Sequence, residues 1–309
     1  MAISYRPYAS MLALAIACLA AGSLAAAEPA RPRIGLVLGG GGARGTAHVG
    51  VLEVLEELRV PVDCIAGTSM GSLVAGAYLS GVRPRQMMER LAQVDWYDLF
   101  RDDPARGETN YRERRLAQSY YPGLEAGVTL EGTQMARGIV GGQKVKLFFN
   151  SLVGADRAER TIGTLPLPLA IIATDIGNGE RVVFRDGELA LAMRASMSIP
   201  AVLTPVPYQG RYLVDGGLVD NLPVAEARAL CKADIVIAVD VGSPLLRPEQ
   251  VDSVRSVAGQ MVNILTEQNA IASRALMRPA AMYIRAARSD STAADFCKLR
   301  EGAARGRAA

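Results

Sequence analysis

The sequence predicts an α/β protein, a three-layer α/β/α arrangement in which helices cover both faces of a mostly parallel central sheet. Two successive units carry this prediction, each an apolar run followed by a glycine-rich turn and a helical pattern. The apolar runs are IGLVL at 34–38 and VDCIA at 62–66. Continuous apolar runs of this length are typical of strands buried on both faces. With half of its 309 residues hydrophobic, the chain is long enough to form one large domain.

The remaining elements follow from hydrophobic periodicity. Helical spacing of Val51, Leu52, Leu55 and Leu58 predicts a helix after the first strand, and the apolar segment at 71–81 predicts one after the second. The stretch 84–153 is expected to be helical and irregular, and a lid over an active site would be sought there. Five further strands and a long helix are predicted: strands at 169–176, 181–184, 211–215, 234–241 and 281–285, and the helix at 249–277.

The first 27 residues are predicted to form a signal peptide. Arg6 precedes a segment of small and apolar residues, and Ala25 and Ala27 fit an A-x-A cleavage site. A membrane anchor is the alternative, but the strongly apolar part is nearer to ten residues than to the ~20 of a spanning helix. Cys18 suggests a lipoprotein, yet Ala15 stands where a bulky aliphatic residue is usual. We therefore expect an exported protein, periplasmic or secreted, without lipid attachment.

The chain is accordingly divided into a signal peptide (1–27), a linker (28–33), one domain (34–285) and a polar C-terminal tail (286–309) that is expected to fray. The net charge of +3 does not support nucleic-acid binding.

Once Cys18 leaves with the signal peptide, Cys64, Cys231 and Cys297 remain, so at least one is free. Cys64 is interpreted as a small buried residue, and neither a disulfide framework, a metal site nor a cofactor is predicted.

The segment GTSMG at 67–71 has the G-x-S-x-G form of a nucleophile elbow. Gly67 and Gly71 allow a strand to turn sharply into a helix, which exposes the serine side chain at the helix N-terminus. An apolar strand precedes the motif and an apolar helix follows it. Ser69 is therefore a candidate nucleophile, and a tight packing turn is the alternative.

A second glycine-rich segment, GGGGARG, occupies positions 39–45. It contains the G-x-G-x-x-G spacing of dinucleotide-binding loops, but the second strand does not end in the acidic residue that would hold a ribose. Consecutive glycines also allow backbone N–H groups to converge on an oxyanion. The loop, together with the N–H of Met70 after the nucleophile, is therefore interpreted as an oxyanion hole.

The general base is less obvious, because the chain has one histidine. His48 falls on the predicted buried stripe of the first helix, so we interpret it as a core histidine bonded to backbone rather than as a base. Five aspartates lie in or beside predicted strands, and position alone does not choose among them: Asp63, Asp175, Asp215, Asp220 and Asp240. The Asp215-Gly216-Gly217 segment is attractive, although the same three residues are also a common turn signal.

Taken in order, GGGGARG at 39–45, GTSMG at 67–71 and DGG at 215–217 resemble the patatin-like phospholipase family. ASMSIPAVLTPV at 195–206 and VDNLPV at 219–224 resemble stretches that flank this family's catalytic aspartate, and the resemblance spans about 34–285. It implies a Ser-Asp dyad without histidine, with Ser69 as nucleophile and Asp215 as base. The family's motif at the catalytic aspartate has an Asp-Gly-Ala variant, and this chain has Asp-Gly-Gly at that place. The resemblance also implies an oxyanion hole formed by the loop residues Gly40, Gly41, Gly42, Ala43, Arg44 and Gly45, with Arg44 either bracing the loop or meeting a phosphate.

The resemblance implies a lipid acyl hydrolase of the phospholipase A or lysophospholipase type, acting on phospholipids or lysophospholipids. Peripheral membrane contact is expected, with basic residues near the C-terminus meeting anionic headgroups, whereas the oligomeric state is left open. Because the base is a carboxylate, we expect activity to fail at acid pH, and we expect this without a group of imidazole-like pKa. A short-chain carboxylesterase and a catalytically silent lipid-binding module are the alternatives.

Overall fold

The structure is a computed structural model. It describes residues 31–101, 107, 109–112, 114–115, 126–129, 132–135, 138, 140–154, 159–286 and 292–309. The predicted signal peptide with Cys18, the first half of the linker, part of the predicted lid region and residues 287–291 of the tail lie outside these residues. Arg33–Ala309 forms one compact unit.

The central sheet has eight strands within the described residues, and most of their pairings are parallel. The parallel neighbours, in spatial order, are β10 (Ala281–Arg285), β9 (Ile235–Asp240), β1 (Ile34–Leu38), β2 (Val62–Thr68) and β5 (Leu169–Asp175). Three antiparallel strands extend the sheet from β5: β6 (Arg181–Phe184), β7 (Val206–Tyr208) and β8 (Arg211–Asp215). A separate hairpin joins β3 (Ala126–Thr129) and β4 (Gly132–Met135). The predicted mostly parallel sheet is confirmed.

Helices cover both faces of the sheet, because successive strand residues point to opposite sides. Leu36 and Leu38 enter a large apolar core and Val37 enters a smaller one. The larger core contains residues of α1 (Ala47–Glu57), α2 (Met70–Leu79), α3 (Pro84–Gln93), α4 (Trp96–Arg101), α5 (Gln143–Val153) and α6 (Leu189–Ser196). The smaller contains residues of α8 (Val224–Cys231) and of α9 (Val254–Ala275), and a short α7 (Gly217–Asp220) precedes α8. These layers confirm the predicted α/β/α arrangement. None of the helices described is both long and apolar enough to cross a bilayer.

The register of three strands places the two residues of the predicted dyad, Ser69 and Asp215, at the same level along the sheet. Thr68 at the end of β2 pairs with Ile172 of β5. On the other side of β5, Asp215 at the end of β8 pairs with Ala173. Although β2 and β8 run in opposite directions, both end opposite the middle of β5, so their C-terminal residues meet there.

The C-terminal tail does not fray as expected. Leu299–Ala308 forms a tenth helix, α10, that packs against α1. Glycine allows the close approach, since a Cβ at Gly306 would lie 1.8 Å from the backbone oxygen of Ala47. Arg307 also pairs with Glu57 at 2.8 Å. The polar composition of the tail suggested a solvated chain, whereas small residues at one helix face make it part of the fold.

The cysteine prediction is also wrong in one respect. Cys64 of β2 and Cys231 at the end of α8 form a disulfide that closes a separation of 167 residues. Cys297 is exposed and free. The pair was missed because the two residues are remote in sequence and only the packing of α8 on the sheet brings them together.

We expect Cys231→Ala to lower the free energy of unfolding by about 2–5 kcal/mol, since the disulfide restricts a long loop in the unfolded chain. Urea denaturation without reductant measures this loss, and reductant should bring the wild type close to the variant. Cys297→Ala is the matched control and should unfold like the wild type. Equal midpoints for Cys231→Ala and the wild type would show that the disulfide does not stabilise the domain.

Candidate active site

Ser69 lies in the sharp turn between β2 and α2. Its backbone has φ 53° and ψ −124°, in the left-handed region that non-glycine residues rarely adopt. The turn fits only because its neighbours lack side chains. A Cβ at Gly71 would lie 2.0 Å from the backbone oxygen of Leu38. This is the strained geometry of a nucleophile elbow, as the G-x-S-x-G pattern at 67–71 predicts.

Ser69 and Asp215 are in direct contact. Ser69 Oγ donates a hydrogen bond to Asp215 Oδ2 at 2.7 Å, within the range required for a general base. The other oxygen of Asp215 accepts the backbone N–H of Gly217 at 2.7 Å. Burial raises the pKa of Asp215 to about 6, against the opposing effect of these two hydrogen bonds. The expectation of a base without an imidazole-like pKa is therefore wrong, because desolvation moves this carboxyl close to the histidine range.

The other four candidate aspartates have structural partners. Asp63 accepts the backbone N–H of Ile34 at 2.7 Å, and Asp175 accepts that of Gly177 at 2.9 Å. Asp220 pairs with Arg181 at 2.6 Å, and Asp240 pairs with Arg274 at 3.0 Å. Of the five, Asp215 is the one that accepts the single hydroxyl proton of Ser69.

His48 is a buried core residue, as its place on the helical stripe predicts. Its Nε2 donates to the backbone oxygen of Gly39 at 2.7 Å. Burial lowers the pKa of His48 to about 4, so the ring is neutral near pH 7. The histidine therefore anchors the start of the glycine-rich loop.

The first glycines of the loop line the pocket that contains Ser69, the candidate nucleophile. Gly40, Gly41 and Gly42 line the same pocket as Ser69 and Asp215. A Cβ at Gly40 would lie 3.1 Å from that of Ser69. The N–H of Gly40 is used by the backbone oxygen of Asn221, at 3.1 Å.

Three backbone N–H groups around the nucleophile remain available. Within the described part of the chain, the N–H groups of Gly41, Gly42 and Met70 have no hydrogen-bond acceptor. Gly41 and Gly42 face the pocket, and Met70 follows the nucleophile at the first position of α2. An unpaired N–H at a helix N-terminus favours negative charge. These three groups are the candidate oxyanion donors.

The second half of the loop has a different role from the one predicted. The N–H of Ala43 donates to the backbone oxygen of Ala293 at 2.8 Å and is not available to an oxyanion. The buried Arg44 side chain donates to Ser243 Oγ, which favours the bracing interpretation of this residue. A Cβ at Gly45 would lie 2.3 Å from Met70 Cγ, so Gly45 allows the loop to pack on the elbow. A 3-10 turn over Gly42–Thr46 directs these residues away from the pocket.

Sequence reasoning missed three residues that hold the site together. Ser196 Oγ accepts the backbone N–H of Ser69 at 2.8 Å. Asn221 Nδ2 donates to the backbone oxygen of Gly40 at 3.2 Å, and Asn269 Nδ2 donates to that of Gly217 at 2.8 Å. Ser196 and Asn221 fall in the segments 195–206 and 219–224 that carried the family resemblance. Asn269 gave no signal, because a single asparagine in a long helix is ordinarily a solvated residue.

Apolar side chains complete the pocket beside the dyad. They are Ile199, Pro200, Leu218 and Val262. Gly259, Asn263 and Thr266, also of α9, line the same pocket. Among the described residues no group of histidine, cysteine, aspartate or glutamate side chains is arranged to hold a metal ion. The arrangement is suited to nucleophilic attack by Ser69 on a carbonyl whose substituent is apolar.

The pKa of Asp215 sets the expected pH dependence of Ser69 reactivity. Below a pH of about 6 the carboxyl is protonated and does not accept the Ser69 proton, so labelling of Ser69 by an organophosphonate should slow about tenfold per pH unit. Mass spectrometry of the labelled protein measures the rate. Asp215→Asn should react slowly and lose this pH dependence. The same pH profile in Asp215→Asn would assign the titration to another group.

The chain is similar in sequence to proteins of a known family. The model of the patatin-like phospholipase family matches residues 36–228, more than half of the chain. An uncharacterized NTE family protein of Mycobacterium tuberculosis is 33% identical over 232 residues, which cover 75% of this chain and 55% of the relative. Patatin-like phospholipase domain-containing protein 6 of Homo sapiens is 37% identical over 214 residues, covering 68% of this chain and 13% of that protein.

The chain thus spans about half the length of the mycobacterial relative. Among solved structures, VipD from Legionella pneumophila matches with a TM-score of 0.43 and 14% identity, over 91% of this chain and 66% of VipD. The family model and the two relatives, with the motifs at 39–45, 67–71 and 215–217, lead to one conclusion: the chain belongs to the patatin-like phospholipase family.

Proposed function

We propose that this protein is a lipid acyl hydrolase that cleaves carboxylic esters of phospholipids or lysophospholipids through a Ser69-Asp215 dyad. The observation that carries the proposal is the 2.7 Å hydrogen bond from Ser69 Oγ to the buried Asp215 carboxylate, at the base of a pocket with apolar walls. Membership of a phospholipase family supports a lipid ester as the substrate. The apolar walls provide an environment for an acyl chain next to the nucleophile.

The reaction proceeds by two acyl transfers. Asp215 takes the Ser69 proton as Oγ attacks the ester carbonyl, and the backbone N–H groups of Gly41, Gly42 and Met70 stabilise the oxyanion. Collapse of this intermediate breaks the ester bond, and the proton on Asp215 passes to the leaving alcohol. Water then attacks the acyl-enzyme while Asp215 takes its proton. The fatty acid leaves as Ser69 regains a proton.

The substrate class is tested with vesicles of a phospholipid that carries two different acyl chains. We expect the wild type to release one of the two fatty acids, and Ser69→Ala to reduce the rate by about a thousandfold or more, since the nucleophile is lost. Mass spectrometry of the products measures release and identifies the acyl position.

Two results would contradict the proposal. No fatty acid from vesicles, with hydrolysis of a soluble short-chain ester retained, would indicate a carboxylesterase. Vesicle binding without hydrolysis of either ester, and without organophosphonate labelling of Ser69, would indicate a catalytically silent lipid-binding module.

We also propose that the protein is exported after removal of residues 1–27. The disulfide between Cys64 and Cys231 supports this, since such bonds persist in oxidising compartments. The intact mass of the protein from a periplasmic or culture fraction should correspond to a chain that begins at Glu28. Ala25→Arg disrupts the A-x-A site and should leave the precursor uncleaved. A full-length mass in the cytoplasmic fraction would contradict export, and an acylated N-terminal Cys18 would indicate a lipoprotein.

A further inference from the structure

Helix α9 exposes an apolar stripe along its whole length. Val254, Val257, Met261, Ile264 and Ile271 are 38–89% exposed, and their spacing of mostly three or four residues places them on one face. Other exposed positions on this face are Ala258, Leu265, Gln268, Ala272 and Ala275. At a rise of ~1.5 Å per residue the stripe is about 33 Å long.

Several polar residues of the helix face inward, whereas a surface helix in water usually directs its polar residues outward. Asn263 and Thr266 line the catalytic pocket. Asn269 accepts the backbone N–H of Asn221 at 2.7 Å and donates to the backbone oxygen of Gly217. Polar contacts to the site therefore hold the inner face of α9, while the aliphatic side chains of the stripe remain in solvent. Exposed apolar surface of this extent marks an interaction site.

We propose that this apolar stripe of α9 docks on the surface of a lipid bilayer and brings the catalytic pocket to its substrate. The inference rests on the proposed function, because a phospholipid hydrolase meets its substrate in a bilayer. The docking face is continuous with the site, since Gly259, Val262 and Asn263 of the same helix line the pocket. An amphipathic helix of this kind lies in the plane of the bilayer interface with its apolar face inserted.

The charges near the stripe are compatible with this position. Arg274 pairs with two carboxylates, Glu267 at 2.6 Å and Asp240 at 3.0 Å. Arg285 is exposed on β10 and lies on the same side of the strand as Tyr283, whose hydroxyl is 3.5 Å from Arg274. Arg285 is the register partner of Asp240, so the two arginines and the two carboxylates at this end of α9 balance. No uncompensated charge among these four side chains opposes insertion, and the apolar stripe supplies the contact with the bilayer.

The test is flotation with phosphatidylcholine vesicles, with and without phosphatidylglycerol, in a Ser69→Ala background so that the lipid stays intact. The variant Met261→Gln/Leu265→Gln replaces two adjacent side chains of the stripe with polar residues that favour helix. Its vesicle partition coefficient should fall about tenfold or more, because two aliphatic side chains no longer leave water. The matched control is Leu58→Gln/Leu147→Gln, which changes two exposed leucines outside α9 and should float like the parent.

In the background with Ser69 intact, the stripe variant should hydrolyse a soluble short-chain ester at the wild-type rate while losing about tenfold on vesicles. Equal flotation of the stripe variant and the control would overturn the proposal. So would a wild-type protein that ignores vesicles but forms a dimer that the stripe variant dissociates, since alternating three- and four-residue spacing also suits a helix pair. Wild-type flotation that depends on the stripe, without release of fatty acid, would support docking and contradict the hydrolase proposal.

Discussion

The hydrogen bond between Ser69 and Asp215 is the interaction on which the architecture of the site depends. It requires a serine with positive φ and a carboxylate removed from water, and each is unfavourable by itself. Residues in sparsely populated backbone regions cost on the order of 1–3 kcal/mol and persist only where the surrounding structure holds them. Here Ser196 accepts the N–H of Ser69, and the N–H of Gly217 donates to Asp215. The site is therefore held by contacts outside the dyad.

The same burial that makes the arrangement costly makes Asp215 useful as a base. An exposed aspartate is a weak base near neutral pH, whereas desolvation strengthens the affinity of this carboxylate for a proton. The neutral His48 binds the backbone of Gly39 and takes no part in the proposed proton transfer. In the proposed mechanism a two-residue dyad replaces a triad, because burial supplies the basicity that an imidazole would otherwise provide.

Helix α9 connects the chemistry of the site to the surface of the protein. Its inner face contacts Asn221 and Gly217, and through them the glycine-rich loop and the turn that holds Asp215. Its outer face is apolar and exposed. The helix is attached to the protein by the hydrogen bonds of Asn269 and by the burial of Ala270 in the smaller core, while its outer aliphatic side chains are exposed.

The sequence by itself determined the features that depend on local sterics and on periodicity. Apolar runs identified the strands, with the bounds of β1, β6, β8 and β10 as predicted, and glycine spacing identified the elbow at 67–71 and the loop at 39–45. Local signals also have limits. The long helix begins at Val254 instead of 249, because Ser253 accepts the N–H of Ser256 and caps it there.

Only the tertiary structure decided what depends on residues meeting across the fold. The registers of β2 and β8 on β5 place Asp215, which the family resemblance implies as the base, next to Ser69, and the hydrogen bonds of Gly40 and Ala43 determine which loop N–H groups remain available. The packing of α8 pairs Cys64 with Cys231, and α10 is ordered by its contact with α1. These outcomes depend on distances between segments far apart in the chain, and local residue preferences carry no information about such distances.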